Sequence, residues 1–210
     1  MKIAAVIAEY NPFHNGHFYQ LNTIREKLGA DRIIVVMSGN FTQRGTPAIA
    51  DKYLRTEMAL LNGADLVIEL PVHYACSSAE FFATGAITLL NKLGVVDSIC
   101  FGSESGNITN LYNIAKILAD EPEEFQQQLK LFLKRGYSYP MARNQALEAT
   151  IPDFVNYMEV IKTPNNILGI EYIKALLRTN STITPFTVQR IGSCYHDHKL
   201  SVAYSSAIAI

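Results

Sequence analysis

The chain carries almost no net charge: 18 lysines and arginines stand against 19 aspartates and glutamates, −1 overall. That balance excludes a uniformly basic, histone-like nucleic-acid binder, although not a local basic patch. Cysteines are scarce. Cys76, Cys100 and Cys194 lie far apart, with no CxxC or Cys/His spacing, so a structural zinc site is not expected and reduced thiols in the cytoplasm are. No apolar run is long enough to span a bilayer, and Met1-Lys2-Ile3 lacks the zones of a signal peptide, so no membrane association is expected. Internal repeats, low-complexity tracts and linkers are also missing. What is present is a 210-residue chain that is 49% apolar, enough for one sizeable α/β domain, alone or with a small appendage.

Four short, continuous apolar runs, 3–7, 32–37, 65–70 and 96–101, read as parallel strands covered on both faces. A fifth is expected at 185–191. Helical patterns at 18–28, 52–61 and 79–93 separate the first four. Gly29, Gly63 and Gly94 follow these patterns, where helix C-caps place glycine. The alternation predicts an α/β fold, a doubly wound five-stranded parallel sheet. Helices at 108–120, from Pro122 to Arg135 and at 141–149 make a helical insertion at about 107–160. Asn165-Asn166-Ile167-Leu168-Gly169 then precedes a helix ending near Leu177. The last eleven residues are mostly apolar and stop without a cap or a charged end. Either they dock on the sheet or the chain is part of a longer protein, and the second is the expectation.

The stretch Ala8-Glu9-Tyr10-Asn11-Pro12-Phe13-His14-Asn15-Gly16-His17 joins the first strand to the first helix. A loop at that junction of an open α/β sheet favours anions, through free N–H groups and the helix dipole. Gly16 lets the backbone approach a phosphate, and the imidazoles of His14 and His17 can donate hydrogen bonds as charge builds on its oxygens. The competing reading is a turn whose histidines only cap the helix.

Other candidates carry two readings each. Gln43-Arg44-Gly45-Thr46-Pro47, with Lys52 and Arg55 on the next helix, suits an anion or RNA contact or an ordinary charged surface. Lys130, Lys134, Arg135 and Arg143, interleaved with Tyr137 and Tyr139, suit an RNA backbone with stacked bases or a solvated helix face. His196-Asp197-His198 invites a metal, but neighbours on an extended segment point to opposite sides and no third ligand is marked.

The HxGH loop after a first parallel strand resembles the nucleotidyltransferase superfamily. The segment 9–17 is similar, more narrowly, to the bacterial tRNA(Met) cytidine acetate ligases. So are Val36-Met37-Ser38-Gly39-Asn40-Phe41-Thr42-Gln43-Arg44-Gly45, Ala64-Asp65-Leu66-Val67-Ile68-Glu69-Leu70-Pro71, Phe101-Gly102-Ser103-Glu104 and Pro164-Asn165-Asn166-Ile167-Leu168-Gly169. The resemblance covers essentially the whole chain, and family members usually carry a further C-terminal region. It implies a Rossmann-like nucleotidyltransferase domain over 1–210 that activates acetate with ATP as acetyl-adenylate. The acetyl group would then pass to N4 of the wobble cytidine of elongator tRNA(Met). It places His14 and His17 at the chemistry. ATP contacts would come from Ile7, Ala8, Glu9, Tyr10, Asn11, Pro12, Phe13, His14, Asn15, Gly16, His17, Phe18, Tyr19 and Gln20, with Gly102, Asn165 and Arg190. Mg2+ would accompany ATP, held mostly by phosphates. Read locally, Gly102 is also a plain strand–helix turn, Asn165 after Pro164 an ordinary helix N-cap, and Arg190 a solvated strand-end charge.

One stretch departs from the family pattern. Its second phosphate motif reads roughly Ser-Ala-Thr-Ser-Ile-Arg, whereas here Val202-Ala203-Tyr204-Ser205-Ser206-Ala207 stands in its place, with alanine for arginine. That departure favours one alternative, a nucleotide- or RNA-binding module that no longer catalyses; a second, an adenylyltransferase for a small cofactor precursor, would also use HxGH but leaves the other motifs unexplained.

Overall fold

A computed structural model of the chain describes residues 1–190 apart from Asp153. Five parallel strands form one sheet: β1 (Ile3–Ala8), β2 (Arg32–Ser38), β3 (Leu66–Leu70), β4 (Ser98–Ser103) and β5 (Thr184–Gln189), in the order β3-β2-β1-β4-β5. The helices are α1 (Asn15–Leu28), α2 (Lys52–Leu61), α3 (Val72–Ala75), α4 (Ala79–Leu93), α5 (Ile108–Asp120), α6 (Glu123–Lys134), α7 (Tyr139–Thr150) and α8 (Pro164–Arg178). Residues 107–160 thus hold α5, α6, α7 and a short 3-10 turn, Phe154–Tyr157.

Because successive strand residues point to opposite faces, the sheet separates two cores. On one face Ala4, Val6, Ile33, Val35, Met37 and Cys100 meet Leu21 and Ile24 of α1 and Ala59 of α2. On the other, Ile3, Ala5, Ile7, Ile34, Val36, Ile99 and Phe101 meet α4, α5 and α8. Phe101 lies so close to α8 that a Cβ on Gly169 would stand 2.5 Å from its ring. Glycine is what lets that helix approach.

Two expectations about the strands need correction. The run at 65–70 does not make a strand covered on both faces: β3 is at the sheet edge, and Leu66 is exposed while Val67 and Ile68 are only partly buried. The fourth strand begins and ends two residues later than its apolar run. Gly102 and Ser103 pair with Val188 and Gln189 of β5, so cross-strand hydrogen bonding carries β4 past the last bulky residue.

Arg55 is the clearest departure. Expected as a surface cation, it is 0% exposed. Its Nε donates to Ala50 O (3.0 Å), one terminal nitrogen to Glu9 O (2.5 Å) and Ser38 O (3.3 Å), and the other to Gly39 O. One guanidinium thus ties α2 to the C-terminal ends of β1 and β2. Lysine lacks the fork needed to reach these carbonyls.

Each buried acceptor left unpaired costs about 1–3 kcal/mol. Arg55→Leu should therefore lower the unfolding free energy by about 3 kcal/mol or more, with Arg55→Lys recovering little of it. Denaturant titration checks this, and a loss under about 1 kcal/mol would contradict the assigned role.

Candidate nucleotide site

The strand order makes β1 and β4 neighbours whose outgoing connections run in opposite directions, and the crevice between such connections is where open α/β sheets bind ligands. The loop after β1 stands on one side. Tyr10 is buried at 1% exposure with φ 48°, and its ring meets Phe13 at 4.9 Å and His17 at 4.7 Å between centroids. The Asn11–Pro12 peptide bond is cis.

Both histidines cap α1. The His14 Nδ1 accepts the Gly16 N–H (3.1 Å), and the His17 Nδ1 accepts the His14 N–H (3.2 Å). Their rings stack with centroids 3.7 Å apart. An imidazole that accepts at Nδ1 and is neutral carries its proton on Nε2. Both are held neutral. Burial, then the Arg190 charge, lowers the His14 pKa to about 4. For His17 burial, His14 and Arg190 act together and push it well below the ordinary value. The cap therefore leaves each ring an Nε2–H donor. Gly16 is required by this packing, since a Cβ there would stand 2.9 Å from His14 Cε1. The Gly16 N–H is itself taken up by the His14 ring.

Glu9 and Asn11 turn their side chains to the next loop. Glu9 Oε1 accepts the Gln43 N–H (2.6 Å), and Asn11 Oδ1 the Ile49 N–H (2.7 Å). That loop is a tight hairpin: Phe41 bridges Pro47, the Thr42 and Thr46 hydroxyls lie 2.8 Å apart, and Gly45 turns at φ 74°. Arg44 is exposed at its tip. Gln20 donates from Nε2 to Cys100 O (3.2 Å), linking α1 to β4. Burial, against a smaller opposing hydrogen bond from Gln20, pushes the Cys100 thiol up to about 12. Ile7 is buried, Ala8 and Tyr19 are partly buried, and Phe18 is exposed.

Across the crevice, Gly102 sits in β4 with the Arg190 side chain over it; a Cβ there would meet Arg190 Cγ at 3.4 Å. Arg190 itself is exposed, and its N–H donates to Ser103 O (2.9 Å). Asn165 is not the cap of α8. That position is Thr163, which makes no side-chain capping bond, and Asn165 lies inside the first turn, donating Nδ2 to Glu104 Oε1 at 2.6 Å. Glu104 carried no expected role, although an acid directly after a strand and inside the Phe101-Gly102-Ser103-Glu104 motif was a signal.

The remaining candidates divide. Lys52 pairs with Glu69 (2.6 Å). Lys130, Lys134, Arg135, Tyr137 and Tyr139 are exposed, with Arg135 over Phe132 at 5.5 Å. Arg143 does not join them: it turns inward to Glu171 (3.2 Å), which is 3% exposed. Cys194, His196-Asp197-His198 and 202–207 lie outside the described residues. No helix among the described residues is long and apolar enough to cross a membrane.

A crevice at the switch of strand direction, walled by an HxGH cap, defines a class. The family model described as HIGH Nucleotidyl Transferase matches residues 1–210, and the chain belongs to that family. Among curated relatives, the tRNA(Met) cytidine acetate ligase of Clostridium novyi is 55% identical over 210 residues, covering all of this chain and 52% of the relative. That of Caldicellulosiruptor saccharolyticus is 54% identical over 211 residues, covering 51% of the relative. The chain thus spans about half the length of the relatives it matches. Thermotoga maritima TmcAL superposes in its apo form with a TM-score of 0.93 at 45% identity, over all of this chain and 50% of that one. The same protein bound to alpha-thio ATP gives 0.88 at 44%, over 49% of its length.

The depressed histidine pKa values set a pH dependence. Unfolding restores pKa values near 6.5, so between there and about 4 the unfolded chain binds more protons and stability falls as pH falls. Denaturant midpoints should drop from pH 7.5 to pH 5, and His14→Gln should flatten part of that slope. Identical slopes in both proteins would contradict a neutral cap.

Proposed function

We propose that this chain is the catalytic, nucleotidyltransferase-like domain of an ATP-dependent tRNA(Met) cytidine acetate ligase. The observation that carries the reading is the HxGH cap at the end of β1, beside β4, which leaves two neutral Nε2–H donors within the field of the Arg190 charge. Full-length coverage by a neighbour solved with an ATP analogue supports it. ATP would contact the segment from Ile7 to Gln20, with Gly102, Asn165 and Arg190.

In the first step an acetate oxygen bonds to the α-phosphorus of ATP and the bond to the pyrophosphate oxygen breaks, giving acetyl-adenylate and pyrophosphate. No side-chain nucleophile is needed. Catalysis rests on positioning and on stabilising charge at phosphorus. His14 and His17 donate to phosphate oxygens from Nε2, and Arg190 offsets the negative charge. In the second step the N4 amine of the wobble cytidine of elongator tRNA(Met) attacks the acetyl carbon, releasing AMP and a proton. Mg2+ would accompany ATP, held mostly by its phosphates. The reading is that of a cytoplasmic tRNA-modifying enzyme.

Acetate-dependent exchange of labelled pyrophosphate into ATP tests the first step. Exchange is expected from this chain, and exchange requiring another acceptor would move the assignment to a cofactor-precursor adenylyltransferase. ATP binding without exchange would mark a module that no longer catalyses. His17→Ala should reduce exchange by about 10²-fold or more. Loss of its half of the cap should also cost roughly 1 kcal/mol of stability. Unchanged exchange in that variant would remove His17 from the chemistry.

A further inference from the structure

Glu104 follows β4 directly, and its carboxylate collects three hydrogen bonds from the start of α8. Oε1 accepts the Asn165 N–H (3.3 Å) and Nδ2 (2.6 Å), and Oε2 accepts the Asn166 N–H (2.9 Å). The helix is thus capped by a residue 61 positions away in sequence. The attachment is reciprocal. Asn166, 1% exposed, accepts the Ser105 N–H at Oδ1 (3.2 Å). Ser103 Oγ accepts the Gly106 N–H (3.0 Å) and lies 2.6 Å from the Thr187 hydroxyl of β5. Loop 103–107 and the first turn of α8 are therefore tied together, next to Gly102.

This arrangement decides which way the Asn165 amide faces. An ionised carboxylate offers only acceptors, so the group it holds at 2.6 Å must be the amide nitrogen. Turning the amide over would set two acceptor oxygens against each other. The carbonyl Oδ1 is committed to the opposite side of the amide.

We propose that Glu104 is a positioning residue that locks Asn165 with its carbonyl toward the bound nucleotide, so that the site selects a nucleoside by a hydrogen-bond donor it must carry. Two groups of ATP have that chemistry, the exocyclic amine of adenine and the ribose hydroxyls. Guanine presents a carbonyl where adenine has the amine, and would be refused. The inference rests on reading the crevice as an ATP site.

Calorimetric binding of ATP, its 2′-deoxy and 3′-deoxy forms, and the triphosphate lacking the 6-amino group tests it. In the unmodified chain one analogue should bind roughly three- to tenfold more weakly than ATP, the value of one neutral hydrogen bond, and its identity names the donor. In Glu104→Gln, whose amide accommodates either orientation of Asn165, that ratio should fall toward one. Asn165→Ala should give the same collapse and serves where Glu104→Gln does not fold. A merely structural Glu104 would lower the melting temperature and leave the ratio intact, which overturns the proposal. So would equal affinity for all four nucleotides in the unmodified chain. Absence of ATP binding in the unmodified chain would overturn the ATP-site reading itself, and this inference with it.

Discussion

The structure depends on one topological constraint: β1 lies at the centre of the sheet, between β2 and β4, and the chain leaves its neighbours in opposite directions. Helices that would otherwise close over the C-terminal edge diverge there, and the opening is occupied by backbone ends and short loops. The groups assigned to the site sit at this edge, on the β1–α1 loop, at the end of β4, after β5 or on the first turn of α8. Arg55 holds the ends of β1 and β2 by their carbonyls from within the core. Glu104 holds the other wall by joining β4 to α8. A buried cation and a capping anion thus tie together the elements on either side of the site.

Within it, capping and chemistry turn out to be one arrangement. A histidine that merely capped a helix and a histidine that bound phosphate looked like alternatives. In the structure the cap consumes Nδ1 of each ring, and burial beside Arg190 keeps the rings neutral. The tautomer that phosphate recognition requires follows from the helix start itself. Since acetate supplies the attacking oxygen in the proposed reaction, the protein has only to present fixed donors where charge develops, a task suited to a cap with little freedom to reorganise.

Much of this was legible in the residues. The patterns at 52–61, 79–93 and 108–120 match α2, α4 and α5, because amphipathic periods with cap residues at both ends are local signals. What escaped was set by partners distant in sequence. The end of β4 depends on pairing with β5, and α3, four residues long, has no period to detect. Arg55 read as surface because charge is visible in sequence and burial is not, although Ala59 one turn later marked the same inward face. Arg143 was misplaced for the same reason, its partner Glu171 lying on another helix. The local reading of Asn165 as a cap fails because Pro164 takes the first helical position, and the capping oxygens come from Glu104.

His14 and His17 stand neutral and protonated at Nε2, and in the proposed site they face the phosphates of ATP. Nitrogen-15 NMR of the labelled imidazoles, recorded at pH 7 without and with saturating ATP, tests it most directly. Nε2–H neutral tautomers are expected for both rings, with displacement of both Nε2 resonances on adding ATP. Imidazolium or Nδ1–H rings at pH 7, or Nε2 resonances that ATP leaves in place, would contradict it.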